Sequence, residues 1–217
     1  MRRNAPTILA LLLLVATATA FAVTQRLKLE PSPVSQTRID KVFSPVCRCP
    51  SAVANIDFSL RRADQLTVAV RIGSGEVTVA QGSFPRGNVH VRWNGRDAAG
   101  ELVPDGVYLP LVRLSRAGRT IDLPNPIRVD TVKPAITAKR LRSNGRKLKI
   151  TYTVSEPAHG ILVVNGHRAV FTYGTRRRGR LTWYGRIKGR IVRPKRHQLV
   201  LVAQDLAGNR SAPVQLP

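Results

Sequence analysis

The stretch VHVRWNGRDAAGELVPDGVYLPLVRL (residues 89–114) decides the fold class of this chain. Apolar and polar residues alternate up to Trp93 and again from Val107 to Leu114, which is the pattern of a half-buried β-strand. Three turn signals lie between the two runs, at 94–95, 97–100 and 104–106. Their three glycines can take positive φ, their proline presets φ, and their Asp or Asn side chains can bond backbone amides two residues on. The stretch therefore predicts two strands joined by a structured corner.

The same alternation recurs along most of the chain beyond residue 60. It predicts strands over 66–72, 76–80, 88–93, 148–154, 161–173 and 198–205. Gly73-Ser74-Gly75 and Asn165-Gly166 lie where tight hairpins need positive φ. No window after the N-terminal segment keeps a helical period. The sequence therefore predicts an all-β protein with two immunoglobulin-like β-sandwich domains in tandem, preceded by a hydrophobic helix and a short stalk.

The first 24 residues predict targeting to a membrane. Arg2 and Arg3 precede an uncharged stretch from Ala5 to Thr24 that contains the run ILALLLLV. This stretch reaches the roughly 17–25 residues needed to span hydrocarbon, and the basic pair would leave the amino end inside. The small residues ATATAFA that end it also fit a signal-peptidase site. The sequence thus predicts a single-pass cell-membrane anchor with the bulk of the chain extracytoplasmic, or a cleaved signal peptide and a secreted protein.

A proline-rich segment, residues 25–54, precedes the first clear strands. It has no hydrophobic period and therefore predicts an extended stalk. Both cysteines of the chain, Cys47 and Cys49, lie in it. In an oxidising compartment they can pair with each other in a small ring, pair with a second chain, or stay as thiols. Two cysteines without a nearby histidine do not make a four-ligand zinc site, so neither a metal nor a cofactor is predicted.

The opening stretch resembles the immunoglobulin-like domain of the flagellar hook-capping protein, of the FlgD type. That signature combines a Trp-Asp/Asn-Gly run, a D-x-x-G turn and a P-D-G-x-Y restart. The matching residues are Trp93, Asn94, Gly95, Asp97, Gly100, Pro104, Asp105, Gly106 and Tyr108. The resemblance implies an immunoglobulin-like domain over 55–130 with a binding or spacer role. Hook capping itself is not implied, because an apolar segment and a stalk stand where the hook cap has its assembly region.

A second domain is predicted over residues 131–217, after a linker bracketed by Pro126 and Pro134. It is similar to the bacterial Ig-like repeats of surface proteins through DTVKP (130–134), SEPA (155–158) and AQDLAGN (203–209). Residues 172–196 depart from that pattern and are much more basic. The resemblance to a repeat is therefore looser here than in the first domain.

Positive charge is concentrated in this second domain. The chain has a formal net charge of +24, and residues 131–217 carry 19 basic and 2 acidic side chains. A surplus of this size indicates attraction to polyanions. The densest run lies within residues 175–196, and its ten basic residues are Arg176, Arg177, Arg178, Arg180, Arg186, Lys188, Arg190, Arg193, Lys195 and Arg196.

This run predicts a polyanion-binding face. An extracytoplasmic location favours an anionic wall polymer, lipid head groups or extracellular DNA as the partner, and nucleic acid would be bound without sequence preference. Two interpretations of the aromatic residues stay open. Either Trp183 and Tyr184 are stacking groups within the face, or Trp183 packs inward and the run is a solvated basic hairpin.

No enzymatic motif accompanies these features, and we predict a protein without catalytic activity. The sequence lacks a G-x-S-x-G elbow, an H-E-x-x-H pair and a phosphate loop, and its four histidines are scattered. Asp97, Glu101 and Asp105 do not have the spacing of an EF-hand calcium loop. Three functions remain: a membrane-tethered structural or interaction module that binds an envelope protein, a polyanion-binding surface protein, and an accessory domain of a secreted enzyme system.

Overall fold

The folded part of the computed structural model is built from β-strands, which confirms the all-β prediction. The structure describes residues 5–29, 31–145, 147–193, 195 and 198–216. The helix α1 runs from Ala5 to Leu29, and a short 3-10 turn covers Pro50–Ala52. The anchor predicted over residues 1–24 is not supported, because no helix among the described residues is both long enough and apolar enough to cross a membrane.

The strands form two groups, the N-terminal assembly and the C-terminal assembly, and each has its own buried core. The N-terminal assembly contains β1 (Val34–Ile39), β2 (Val42–Phe43), β3 (Ala54–Leu60), β4 (Asp64–Ile72), β5 (Gly75–Phe84), β6 (Gly87–Trp93), β7 (Gly106–Leu114), β8 (Arg119–Asp122) and β9 (Ile127–Val129). The C-terminal assembly contains β10 (Ile136–Asn144), β11 (Lys147–Val164), β12 (His167–Phe171), β13 (Arg176–Trp183), β14 (Arg186–Ile187), β15 (Arg190–Ile191), β16 (Leu199–Gln204) and β17 (Val214–Gln215).

Two sheets enclose the core of the N-terminal assembly. One has the strand order β1-β3-β6, and the other has the order β2-β9-β7-β4-β5 with β8 paired to β7. The pairs are antiparallel except for β2 and β9, which run parallel. Buried side chains from both sheets, among them Ile56, Leu66, Trp93 and Val112, form one continuous cluster. This is the arrangement of an immunoglobulin-like β-sandwich.

Residues 34–54 do not form the extended stalk that the sequence predicted. β1 pairs with β3 and β2 pairs with β9, so this segment supplies two strands to the N-terminal assembly. Its apolar side chains Val34, Ile39 and Phe43 are buried in the core. The alternation is hidden in the sequence because Gln36 adopts a φ of +52° and the pairing register shifts beside it. A bulge of this kind interrupts the period of two, so the first domain begins well before residue 55.

The long strand β11 organises the C-terminal assembly. Its first half pairs with β10 and β13, and its second half pairs with β12 and β16. β17 pairs with the far side of β16, and β14 and β15 form a small separate hairpin. Ile150, Leu162, Leu181 and Leu201 belong to a core cluster distinct from that of the N-terminal assembly. One bent strand thus contributes to two sheets that share a core.

Both predicted hairpin turns are confirmed. β4 and β5 are joined through Gly73, which has a φ of +56°, and Ser74. β11 and β12 are joined through Asn165 and Gly166, which have φ values of 51° and 76°. Two-residue turns with positive φ match the right-handed twist of the strands that they connect.

Trp93 anchors the corner between β6 and β7. Its side chain is 2% exposed, and its Nε1 donates a hydrogen bond of 3.0 Å to the carbonyl oxygen of Arg96. The backbone reverses at Gly95, which has a φ of +72°, and Val103 N donates to the Gly95 carbonyl oxygen at 2.9 Å. The Arg96 guanidinium in turn donates to the carbonyl oxygen of Gly100 at 2.6 Å. The indole and the arginine together hold the loop closed.

Polar side chains fix the first two turns of this corner, as the sequence predicted. Asp97 Oδ1 accepts hydrogen bonds from the backbone N of Ala99 and of Glu101, both at 2.9 Å. Asn94 Oδ1 accepts one from the backbone N of Arg96 at 3.2 Å. A turn therefore accounts for the Asp97 carboxylate.

The third turn is closed by a tyrosine. The Tyr108 hydroxyl donates to the Pro104 carbonyl oxygen at 2.6 Å, and Asp105 Oδ1 accepts from the backbone N of Thr131 at 2.9 Å. Positive φ, which the sequence allowed at three glycines of the corner, is absent at Gly106. Instead, a Cβ atom there would lie 3.6 Å from the Tyr108 hydroxyl. The Tyr108 ring therefore lies within ordinary van der Waals distance of this Cβ position.

The C-terminal assembly repeats this corner at Trp183. Its Nε1 donates to the Arg186 carbonyl oxygen at 2.8 Å, and Gly185 has a φ of +72°. The Arg186 guanidinium donates to the Gly189 carbonyl oxygen at 2.9 Å, and Val192 N donates to the Gly185 carbonyl oxygen at 2.9 Å. The basic segment 172–196, which departs from the bacterial Ig-like repeat pattern, therefore contains a second copy of the Trp93 corner.

Candidate functional site

β13 places part of the predicted basic run on one face of a sheet. Side chains two residues apart on a strand point to the same side. Leu181 and Trp183 are buried in the core, so Arg178 and Arg180 lie on the outer side, and Arg176 continues their row. All three arginines are exposed.

Two neighbouring strands add basic side chains to the same outer side. Thr151 of β11 pairs with Arg180 on one side and with Arg140 of β10 on the other. Lys149 of β11 pairs with Arg142 of β10. Because directly paired residues share a face, these cations lie beside the arginine row of β13. The basic run predicted from the sequence did not include Arg140, Arg142 or Lys149.

A bulge decides which residues of β10 join this side. Ala138 pairs with the buried Tyr152, so strict alternation would also turn Arg140 and Arg142 toward the core. The register shifts at Lys139 and reverses the alternation, so both arginines point outward. We call the resulting surface the basic face; it consists of Lys139, Arg140, Arg142, Lys149, Arg176, Arg178 and Arg180.

Two shallow grooves run over the basic face. The larger, of about 780 Å³, is lined by Lys139, Thr151, Tyr152, Thr153, Thr172, Gly174, Arg176, Arg178, Gly179 and Arg180. The smaller, of about 180 Å³, is lined by Arg140, Arg142, Lys149, Thr151 and Arg180. Arg180 and Thr151 line both, so the grooves form one continuous surface. Within the described part of the chain, no acidic side chain lines either groove.

The positive charge of the basic face is not neutralised by the residues that the structure describes. Their ion pairs lie in the N-terminal assembly, for example Arg71 with Asp122 at 3.1 Å and Arg128 with Asp130 at 3.2 Å. Neighbouring strands lie about 4.8 Å apart, and residues two apart on a strand lie about 6.6–6.8 Å apart. Seven cations at this spacing repel one another. An anion that contacts several of them relieves that repulsion.

The other members of the predicted run lie away from the basic face. Arg177 belongs to the opposite side of β13. Arg186 is held in the Trp183 corner, and Lys188 occupies the turn of the β14–β15 hairpin with a φ of +47°. Arg190, Arg193 and Lys195 are exposed around that hairpin, and Arg196 lies outside the described residues. The structure thus brings together three of the ten predicted residues.

The two aromatic residues of the run differ in their exposure. Trp183 is 6% exposed and packs inward, so the stacking interpretation is wrong for it. Tyr184 is 62% exposed, but the Lys147 ammonium lies 5.2 Å from the centroid of its ring. This cation–π contact occupies one side of the ring. The basic face is therefore a surface of cations and hydroxyl groups.

A second polar site lies where the two assemblies meet. Asp130, Glu156 and Asp205 each place a carboxylate oxygen within 4.8 Å of the others. Burial raises the pKa of Glu156 and the neighbouring charges of Asp130 and Asp205 raise it further, while Arg128 and Arg177 act in the opposite direction. The two guanidinium groups offset part of the carboxylate repulsion. That the chain has no metal site stays a prediction.

The structure joins Cys47 and Cys49 in a disulfide beside this junction. Of the three arrangements that the sequence allowed, it contains the small ring. Both cysteines are half-buried, and Arg48 between them is exposed. The ring follows β2 directly, so it lies at the edge of the N-terminal assembly that faces the C-terminal one.

Comparison with known proteins identifies no family for this chain. No family model matches it, and no curated protein matches it. It is similar to a solved domain of a biofilm-associated protein, with 13% identity and a TM-score of 0.32 over 83% of this chain and 28% of that one. It is also similar to bovine butyrophilin (12% identity, TM-score 0.32, 86% of this chain and 100% of that one). A 1.5-MDa bacterial ice-binding adhesin gives 14% identity and a TM-score of 0.31 over 86% of this chain and 65% of that one.

These likenesses are weak. The chain spans less than a third of the biofilm-associated structure and about two thirds of the adhesin structure. TM-scores near 0.3 carry no argument about the function of this chain. The resemblance to the hook-capping protein stays a prediction, and the function is argued below from the chain's own residues.

Proposed function

We propose that this protein is an extracytoplasmic interaction module of two tandem immunoglobulin-like domains that binds a linear polyanion of the cell wall through its basic face. The observation that carries the proposal is the convergence of seven cations from three adjacent strands on one surface, with no carboxylate among the described residues that line its grooves. Unpaired like charges at this density oppose folding. A surface of this kind is explained by binding, in which the partner supplies the missing negative charge.

The shape of the basic face favours a polymer over a small anion. The two grooves are shallow and continuous across three strands, so a compact anion would contact only part of the charge. Arginine supplies five of the seven cations, and its guanidinium can bind a phosphate or carboxylate through two parallel hydrogen bonds. Thr151 and Thr153 place hydroxyl groups among the cations. A chain with repeated anionic groups can contact all of these side chains together.

The lining of the two grooves favours a wall polymer over nucleic acid, because its one aromatic residue, Tyr152, is buried. Proteins that hold single-stranded nucleic acid combine a basic groove with aromatic rings on which bases stack. Trp183 is buried and Tyr184 is engaged by Lys147. The face can attract DNA by charge, but its grooves contain no platform for bases, because the exposed rings Tyr173 and Tyr184 do not line them. Saccharide or polyol polymers that carry phosphate or carboxylate groups need no such platform.

A salt series on matched variants tests this function. Arg176, Arg178 and Arg180 changed together to alanine remove three cations from the basic face, so the slope of log Kobs against log salt for purified anionic wall polymer should become less negative by about 2–3. The matched control, Arg190, Arg193 and Lys195 changed to alanine, removes three exposed cations outside the basic face, so it lowers the net charge equally and should leave the slope near that of the unaltered protein. Equal effects of the two variants, or retention that is insensitive to salt, would contradict a defined face.

Export is the second part of the proposal and has its own test. It is supported by the basic pair and apolar run at the N-terminus and by the Cys47–Cys49 disulfide, because disulfides persist in oxidising compartments. We expect the protein in the medium or the envelope fraction of its own cells, with both cysteines resistant to alkylation before reduction. Intact mass spectrometry of each fraction measures both properties. Recovery in the cytosol with two alkylated cysteines would show that the location is wrong.

A further inference from the structure

The disulfide ring lies directly under a glycine of the other assembly. A Cβ atom built on Gly208 would lie 2.5 Å from Cys49 Sγ and 3.3 Å from Cys47 Sγ. Gly208 also has a φ of +98°, which a residue with a side chain rarely adopts. The backbone at Gly208 therefore packs against both sulfur atoms, and only glycine fits there because a Cβ atom would clash with Cys49 Sγ.

The turn that carries Gly208 is closed by hydrogen bonds and is buried except for Leu206, which is 58% exposed. Asp205 Oδ1 accepts hydrogen bonds from the backbone N of Gly208 at 2.7 Å and of Asn209 at 2.8 Å. Asn209 Nδ2 donates to Asp205 Oδ2 at 2.8 Å. Asp205 is 6% exposed, Ala207 is 0% exposed and Asn209 is 2% exposed. A turn at the end of a domain is usually solvated, so this one is a docking element.

The same turn is bonded to the connection between the assemblies. Asn209 Nδ2 donates to the carbonyl oxygen of Asp130 at 2.8 Å, and Asp130 N donates to the Phe43 carbonyl oxygen at 3.1 Å. Phe43 is a core residue of the N-terminal assembly, four positions before Cys47. The disulfide ring and the connection therefore hold the turn from two sides.

Closing so short a loop stabilises an assembly less than closing a long one. In the chain-entropy model, a disulfide stabilises by restricting the unfolded chain, and a ring of three residues contributes about half as much as a 15-residue loop. The extensive contact is instead with the partner turn, because Gly208 lies over both sulfur atoms. The geometry points to a role at the junction.

We propose that Cys47 and Cys49 form a thiol–disulfide exchange site whose redox state sets the rigidity of the junction between the two assemblies. A dithiol reductant attacks one sulfur atom, the Cys47–Cys49 bond breaks, and the reductant closes its own S–S bond. The two cysteines each gain a hydrogen atom, and the reductant loses two. The two separated thiols no longer form the joined pair of sulfur atoms against which Gly208 packs. The turn that carries Gly208 therefore loses this contact and moves away from the N-terminal assembly.

Relaxation of backbone ¹⁵N nuclei with and without dithiothreitol tests the coupling. With the disulfide intact, the two assemblies should tumble with one correlation time. After reduction, they should tumble separately, and the Gly208 and Asn209 amides should exchange hydrogen at least about tenfold faster. The variant with both cysteines changed to serine should match the reduced protein. One common correlation time and unchanged exchange in both cases would overturn the proposal.

A double-mutant cycle separates the sulfur contact from backbone strain. Gly208→Ala combines a positive φ with the clash against sulfur, whereas Gly100→Ala has a positive φ of +82° and open space around its Cβ position. In the disulfide form, Gly208→Ala should free the junction and Gly100→Ala should not. In the double-serine background, Gly208→Ala should have little further effect on tumbling. An equal effect of Gly208→Ala in both backgrounds would show that contact with the sulfur atoms does not hold the turn at the junction.

Discussion

Replacing Trp93 by alanine is expected to lower the free energy of unfolding of the N-terminal assembly by about 3–5 kcal/mol. The indole is 2% exposed and lies between two other rings, with centroid distances of 5.5 Å to Phe43 and 5.4 Å to Tyr108. Its removal leaves a cavity among three elements. It also leaves the Arg96 carbonyl oxygen without its 3.0 Å hydrogen bond, so the corner loses its anchor and its core contact together.

Urea denaturation followed by fluorescence measures this loss, because Trp183 remains as the reporter of the C-terminal assembly. We expect the Trp183 transition to stay near its original midpoint while circular dichroism records earlier loss of the other assembly. Val107→Ala is the control, since Val107 is 66% exposed on the next strand and such sites change stability by about 0.5 kcal/mol or less. A loss below about 1 kcal/mol for Trp93→Ala would contradict the anchoring role.

Gly179→Ala is expected to destabilise the C-terminal assembly by about 2–3 kcal/mol and to weaken polyanion binding as well. Gly179 lies between Arg178 and Arg180 and pairs directly with Tyr152, whose ring crosses over it. An added Cβ atom would collide with the phenol end of Tyr152. The phenol cannot retreat easily, because its hydroxyl accepts a hydrogen bond from the backbone N of Gly160 at 3.1 Å and lies 3.2 Å from Thr172 Oγ1.

Gly174→Ala provides the matched control for this change. Gly174 lines the same groove, has no positive φ, and has nothing within 4 Å of its Cβ position. Thermal denaturation and binding to anionic wall polymer should both distinguish the two alanine variants. If Gly179→Ala keeps full stability but binds poorly, the groove floor contacts the polymer directly. If it behaves like Gly174→Ala in both assays, the fit around Tyr152 is looser than the structure indicates.

Local patterns were sufficient to predict the hairpins and most of the first corner. The turn at Asn165-Gly166 and the hydrogen bonds of Asp97 depend on residues adjacent in sequence, whose preferences are intrinsic. The strand at 34–39 was missed because the bulge at Gln36 removes the alternation on which strand prediction depends. A bulge follows from tertiary pairing, and no single-strand pattern reveals it.

The basic face was only partly predictable for the same reason. The row on β13 is visible as a period of two in RRRGR, and Lys149 alternates with core residues of β11. That Arg140 and Arg142 join this row depends on which strands pair and on the bulge at Lys139. Charge clustering in sequence instead pointed to Arg190 and Arg193, which lie on a separate hairpin.

One signal in the sequence was sufficient to find the second corner. W-N-G-R at 93–96 and W-Y-G-R at 183–186 share three of four residues, and both form the same indole-to-carbonyl hydrogen bond. The repeat is hard to see because the residues that follow differ: Asp97 and Glu101 are acidic, whereas Lys188 and Arg190 are basic. The indole and the glycine define the corner, so the exposed residues that follow them can carry either negative or positive charge.

The parallel pairing of β2 with β9 determines how the N-terminal assembly responds to mechanical force. The chain enters this assembly through β1, and once tension has detached β1 from β3 it acts on β2 and on β9, the last strand. These two strands are joined by the bonds Arg128 N to Lys41 O at 2.9 Å and Asp130 N to Phe43 O at 3.1 Å. Tension on the two chain ends pulls parallel strands in opposite directions, so both bonds are sheared at once. Antiparallel terminal strands would instead unzip one bond at a time. A pull along the chain therefore meets its resistance at this small patch of backbone.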